Sequence, residues 1–594
     1  MIMRSLRFIL FLFMMLPFHQ TGAVSCPSLQ PLGSIVKNPP KSSSFNGKLE
    51  TELVAKNEGN GPLVGSYDYQ FCLLEHDDPE RYAPILRVQP GDKLNIDLNN
   101  QMRAQTGFPE AHFHSDSPCP GVVSAHHADV AFVNLHYHGL NVSPGCGGDN
   151  VIDTIVAPAN GQNIGLYRYS LEIPSNEPPG LYWLHPHVHG VAQQHLLGGM
   201  STLLVVEGMD NFYPAIKTMK ERILVIRDLD KPNPADFDSP DPDEPWKNLS
   251  VNSVPIIYGQ EALPQMYMQP KESQFWRVAN ASADTHLILE FQVKGLQNNW
   301  TPQTLRVLAL DGVPFIDTDD KKTQTMPMKS IILPPGSRAE FIVRAPNQGL
   351  KARLYSRDYN EYLSSINRKC SRSFRHSQCD GTDRNPARTI AEVQISDSPM
   401  DENEYDLVST KPIERFASLA KKPADLNRHL FFTKDPREDG DFFITVVGNT
   451  PQPFDPDSHP DIVVEGPTVE DWTIENRDNE SHDFHIHQTH FAVIKKNNMP
   501  VKEESTHILR DTIQIGSCRS WEHGVNPEDD PYGLDFPPDD PRYDPQFTGK
   551  NCIKPASVTL RIDFRDRDIV GKMVYHCHIL EHEDKGMMRL MEIH

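Results

Sequence analysis

The chain of 594 residues lacks an apolar run long enough to cross a bilayer. A spanning helix needs about 20 consecutive apolar residues. The strongest candidate, FILFLFMMLPF at residues 8–18, falls well short. Arg4 and Arg7 precede it, and the small residues of TGA or AVS follow it, which is the pattern of a removable secretory signal over residues 1–25. Basic residues are in deficit as well. There are 57 Lys and Arg against 80 Asp and Glu, a net charge of −23. Such a balance repels a phosphate backbone and argues against nucleic acid as a partner. It otherwise speaks to solubility and not to fold.

Cysteine is sparse, at nine residues, and compatible with an oxidising compartment. Cys370 and Cys379 are close enough to close a small loop, and Cys518 and Cys552 bracket a long insertion. For Cys26, Cys72, Cys119 and Cys146 the pairing stays open. Cys26, directly after AVS, also raises the question of a lipid anchor, although Ala23 is a poor residue for one.

Turn formers, by contrast, are plentiful: 51 prolines and 35 glycines fit an all-β chain of strands joined by many turns. The length calls for several domains. DKLNIDLNN at 92–100, SQFWRVANAS at 273–282 and VEDWTIENRD at 469–478 share an alternating strand that runs into a polar turn. This repeat predicts three Greek-key β-sandwich units of similar size, 26–212, 213–400 and 401–594, the last opening with a charged linker at 400–440. PEDDPYGLDFPPDDPRYDP, between Cys518 and Cys552, is too acidic and proline-rich for a core strand. It reads as a solvated insertion, or as a cation-attracting lid if residues 528–544 lie over the site described next.

The stretch HCHILEHEDKGMM, His576 to Met588, concentrates the chemistry. Cys577 offers a thiolate, with His582 five positions on and Met587 ten on. A trigonal His₂Cys site with a weak axial Met is the geometry of a blue copper centre. Strand alternation turns His576 and His578 away from Cys577, toward a second centre behind it. His-x-His recurs at His136/His138, His185/His187, His485/His487 and His576/His578. Eight imidazoles suit three copper ions, two for one and three for each of the others. His482 is left over to complete the blue site with Cys577, His582 and Met587, giving twelve ligands for four coppers. His189 and His490 extend two of the pairs and leave a register alternative. His112/His114 sits in what reads as a loop and is set aside with His126 and His127.

These four segments resemble the four copper motifs of the multicopper oxidases, the family of laccases, copper-efflux oxidases and ferroxidases, and HCHILEHED followed by GMM is especially similar to the bacterial laccase-like branch. Two departures keep every ligand: Asp483 stands where proline is common after the first histidine of the third motif, and Tyr137 where tryptophan is frequent. The resemblance implies cupredoxin domains, with the cluster between the first and third. It assigns His136 and His485 to a type 2 copper, His138, His185 and His578 to one ion of a type 3 pair, and His187, His487 and His576 to the other. It also implies an electron path from the edge of His482 or His582 through Cys577 to His576 and His578, and reduction of O₂ to water. Glu583 matches a family acid beside the O₂ site; Asp149 is the second acid, with Asp153 as its competitor.

The reading is a secreted or periplasmic monomer that oxidises a small organic reductant. The alternative is a metallo-oxidase for Cu(I), Fe(II) or Mn(II), though the chain has no methionine-rich insertion of the copper-efflux kind. A noncatalytic copper carrier has no use for all twelve ligands, and a copper nitrite reductase would not need four His-x-His pairs.

Overall fold

The computed structural model describes residues 25–58, 71–103, 113–114, 117–125, 130–159, 165–232, 247–257, 259–295, 297–315, 325–359, 385–398, 419, 422–435, 440–478, 480–502, 508–520 and 552–594. The signal segment, Cys370 and Cys379, the acidic insertion 528–544 and most of 400–440 lie outside the described residues.

The fold is all-β, with three cupredoxin-like sandwiches, each closed by two sheets around its own apolar core. The three repeated segments occupy equivalent places. Lys93–Asn100, Ser273–Asn280 and Val469–Asn476 each lie between a parallel partner (Lys48–Asn57, Lys220–Pro232 and Leu426–Lys434) and an antiparallel one (Leu166–Glu172, Arg338–Arg344 and Ala556–Asp563). Period-2 alternation sends Leu94, Ile96 and Leu98, then Trp276 and Val278, then Trp472 and Ile474 into the cores.

The polar ends of these strands depart from expectation. Asn100, Asn280 and Asn476 are buried, not solvated turn residues. Asn280 Nδ2 donates to the carbonyls of Thr285 and Leu333, both at 2.8 Å, and its Oδ1 accepts from Ser282 N. Asn100 does the same for Ala131, Val156 and Met102, and Asn476 for Glu480, Gly516 and Asp478. Each amide satisfies backbone groups that leave the sheet where the chain crosses between layers, which a hydrophobic residue could not do.

Two other local readings change. Leu426–Lys434, inside the stretch read as linker, is a strand of the third sandwich; only its second half is buried, which hides the alternation. Phe113–His114 pairs with Ser124–Ala125, so a short strand stands where a loop was expected. Disulfides join Cys26 to Cys72 and Cys119 to Cys146. The Cys26 sulfur is therefore engaged and unavailable to a lipid. Cys518 is also disulfide-bonded. No helix among the described residues is long and apolar enough to cross a membrane.

Replacing Asn280 with alanine strands two buried carbonyls, each worth about 1–3 kcal/mol. Asn280→Ala is expected to lower stability by about 2–4 kcal/mol, read as an earlier urea midpoint by tryptophan fluorescence.

Candidate metal centres

In the first sandwich the short strand His136–His138 pairs with Gly180–His185, setting His136 opposite His185. In the third, His482–Ile486 pairs with Gly571–Cys577, setting Phe484 opposite Cys577 and His485 opposite His576. Only His136/His138 lies wholly within a strand. The other three pairs straddle a strand end, with His187, His487 and His578 on the residue or turn beyond. The alternation at Cys577 holds: its sulfur faces into the third sandwich, and its two neighbours face the first.

Ligand atoms of His136, His485 and His487 converge, as do those of His138, His185 and His578, of His187, His487 and His576, and of His482, Cys577 and His582, each group within 4.8 Å. Every one of these side chains is buried. His576 Nε2 lies 3.2 Å from Nε2 of both His187 and His487. His576 Nδ1 is held by the Cys577 carbonyl and Glu583, which leaves its Nε2 lone pair aimed at the other two rings, and a cation fits there. Nε2 of His136, His138, His185, His485 and His578 has no hydrogen-bond partner among the described residues.

The other nitrogen of three of these rings is held. His136 Nδ1 lies 2.9 Å from Asp149, His185 Nδ1 2.9 Å from the Pro186 carbonyl, and His485 Nδ1 2.8 Å from the Asp511 carbonyl. Such contacts fix the tautomer that leaves Nε2 free to ligate. Burial, then the neighbouring imidazoles, keep His136, His138, His485, His487 and His578 well below the ordinary histidine value. They are therefore in the neutral form that metal binding requires.

The Cys577 centre has the opposite ring polarity. His482 and His582 turn Nδ1 inward, 3.0 Å apart and 3.8 and 3.7 Å from Sγ. Their Nε2 atoms lie 3.2 Å from Asp478 and 3.3 Å from Glu480. Burial raises the thiol, and the two imidazoles more than reverse this, leaving it pushed down to about 6 and ready as a thiolate. Met587 is buried in the same core, its carbonyl accepting from Cys577 N at 3.0 Å.

Both named acids reach the cluster. Glu583, on the short helix Leu580–Asp584, is fully buried, 3.0 Å from His576 Nδ1 and 3.6 Å from His187 Nδ1. Burial raises its carboxyl, but His187 and His576 hold it well below the usual range. Asp149 touches His136 and accepts from Tyr137 N at 2.9 Å. Its competitor Asp153 instead pairs with Asn150 and Ser117. His490 turns to the Asp311 carbonyl and His189 packs on Phe454, so neither belongs to the converging groups.

Residues from the second sandwich escaped sequence reasoning. Arg338 is fully buried, binds both Asp511 oxygens at 3.0 and 2.8 Å and lies 3.0 Å from His138 Nδ1. Gly336, with φ at +79°, brings backbone so close that a Cβ would fall 2.7 Å from His578 and 2.9 Å from His138. The only signal was the PPGSR turn at 334–338, which resembles many other turns.

The multicopper oxidase family model matches residues 422–522 and 550–594, the segments that carry the third and fourth motifs. Over those residues the chain is similar to that family. It is 23% identical over 545 residues to a laccase of Bacillus stratosphericus, covering 86% of this chain and 89% of that one. Its fold is that of a Campylobacter jejuni multicopper oxidase described as a metallo-oxidase (TM-score 0.59, 19% identity, 96% of each chain). The multicopper oxidase of the hyperthermophile Aquifex aeolicus is similar too (TM-score 0.60, 16% identity, 96% of this chain and 99% of that one). Multicopper oxidases bind copper, and the donor sets above fit it: soft thiolate with imidazoles at one centre, imidazoles alone at the others.

Gly336→Ala is expected to push on His578 and His138 without touching the Cys577 centre. Copper content should fall, with the absorbance of the Cys577 centre retained. Metal analysis beside the visible spectrum checks this.

Proposed function

We propose that the protein is an exported oxidase that takes electrons singly from a small organic reductant and delivers four of them to O₂, giving two molecules of water with four protons. The observation that carries this reading is the position of Cys577. Its sulfur joins one donor group, while the residues on either side of it, His576 and His578, join two others. A few covalent bonds of a single strand therefore link the centres. His482, Cys577, His582 and Met587 would hold a type 1 copper, His136 and His485 a type 2 copper, and the sets His138/His185/His578 and His187/His487/His576 a type 3 pair. Copper bound there would supply one-electron exchange at the thiolate and O₂ reduction at the imidazole cluster.

The chain's own residues do the rest. His482 is fully buried behind Asp478, so His582, 5% exposed, is the edge that faces a reductant. Phe442 stacks on it at 4.1 Å, and Lys585 Nζ lies 5.9 Å above the Phe442 ring. Glu480 orients His582 and is itself neutralised by Lys434. A nearly buried aromatic edge, with ion-paired ammonium groups of Lys434 and Lys585 beside it, suits phenols and phenolates. One observation favours the metallo-oxidase alternative, namely the Glu480 carboxylate on His582, but its pairing with Lys434 weakens its pull on a metal cation. Asp149, raised by burial, is placed to hold a proton beside His136, and Glu583, ionised beside His576 and His187, is placed to take up a proton and pass it toward the cluster.

Export rests on the signal-like residues 1–25 and on the disulfides. Steady-state kinetics across phenols, Fe(II), Cu(I) and Mn(II) test the substrate class. The expected outcome is kcat/KM highest for phenols; a metal ion at the top of the panel would reverse the assignment. Cys577→Ser should lose both the blue colour and turnover of every reductant. Glu583→Gln should keep copper content and colour but slow O₂ reduction by roughly 10²-fold or more, as expected for a lost proton donor, read by stopped-flow reoxidation of the reduced protein.

A further inference from the structure

Asp483 follows His482 and faces Cys577 from the adjacent strand. Its backbone N–H donates to Cys577 Sγ at 3.4 Å, and its carbonyl accepts from His578 N at 2.6 Å. Its side chain points the other way, into the second sandwich, where His286 Nε2 lies 2.8 Å from Oδ2. Both residues are fully buried, and the His286 ring stacks on Tyr359 at 4.5 Å with an interplanar angle of 14°. The residue that carries the N–H is thus held on both sides, through its carbonyl by the His578 amide and through its side chain by a histidine of another sandwich. Proline, common at this position in the family form, has no N–H and no side chain that could reach His286.

We propose that Asp483 is a positioning residue whose amide sets the reduction potential of the Cys577 centre, clamped in place from the second sandwich by His286. The inference rests on the reading that Cys577 holds a type 1 copper. The thiolate carries more negative charge when the bound metal is reduced, because less of it is donated away. An N–H aimed at the sulfur therefore stabilises the reduced form more than the oxidised form and raises the potential. The same bond lowers the energy of the sulfur donor orbital and shifts the thiolate-to-metal absorption to shorter wavelength. This chain would be a stronger oxidant at that centre than the same fold with proline in this place.

The test compares Asp483→Pro with Asp483→Ala in copper-loaded protein. Both variants lose the carboxylate and its contact with His286, and only the proline loses the N–H. Redox titration against a one-electron mediator should show the proline variant easier to oxidise than the alanine variant by roughly tenfold in the equilibrium constant, the worth of one hydrogen bond to a charged acceptor. Its blue band should lie at longer wavelength. Equal potentials and equal bands in the two variants would overturn the proposal. Should Asp483→Pro fail to fold, resonance Raman of the wild type prepared in heavy water decides. A deuterium shift of the copper–sulfur stretch, retained in Asp483→Ala, supports the amide bond; no shift overturns it. A wild-type protein without copper at Cys577 would be recognised by its lack of colour, and would fail the functional reading together with this one.

Discussion

A β-strand cannot point two neighbouring side chains the same way. At His576-Cys577, with His578 just past the strand end turned the same way as His576, that rule becomes a constraint on the whole molecule. The sulfur must be met by ligands inside the third sandwich, and the flanking imidazoles by ligands outside it. The first requirement places His482 on the adjacent strand and His582 on the short helix that follows. The second brings the first sandwich against the third, with His136–His138 and Gly180–His185 presenting their imidazoles to the same volume. The fold thereby fixes which centres are joined and in what order.

The same arrangement carries an energetic cost without metal. Five cluster imidazoles have a buried Nε2 with no hydrogen-bond partner. At about 1–3 kcal/mol each, these atoms cost roughly 5–15 kcal/mol, comparable with the net stability of a whole domain. Protonation does not relieve this, because burial and mutual repulsion push those rings down. A cation relieves it, so metal binding and stability are coupled through these lone pairs. The groups that hold Nδ1, such as Asp149 and the carbonyls of Pro186 and Asp511, preserve the arrangement in the meantime.

The convergence of these imidazoles and the thiol was legible in the sequence for one reason: the candidate donors are marked by residue type at short spacing. His-x-His, HCH and the trailing His and Met are local patterns, and the three repeated strands are periodic ones. What escaped reading is non-local. Asn100, Asn280 and Asn476 look like ordinary turn residues, yet each is a buried amide serving carbonyls from segments many residues away. Asp478, Glu480 and Phe442 contact the two histidines of the Cys577 centre, but an acid or a phenylalanine carries no mark of its neighbour across the sheet. Strand ends misled in the opposite direction: His187, His487 and His578 lie past the strands whose alternation was used to place them.

The second sandwich shows why counting ligands understates a domain. Among the described residues it supplies none of the converging donors, yet it contacts both kinds of centre. Arg338 fixes Asp511 beside His138, Gly336 packs its backbone against His578 and His138, and His286 reaches Asp483 beside the sulfur. A buried charge or a close backbone approach is sensitive to displacements of a few tenths of an ångström, since packed interiors have little free volume. A shift of this sandwich would therefore move ligand geometry at the cluster and the amide at the thiolate together. Its role is that of a rigid reference against which the other two sandwiches hold their ligands, and that role needs contact without requiring a single metal-binding residue.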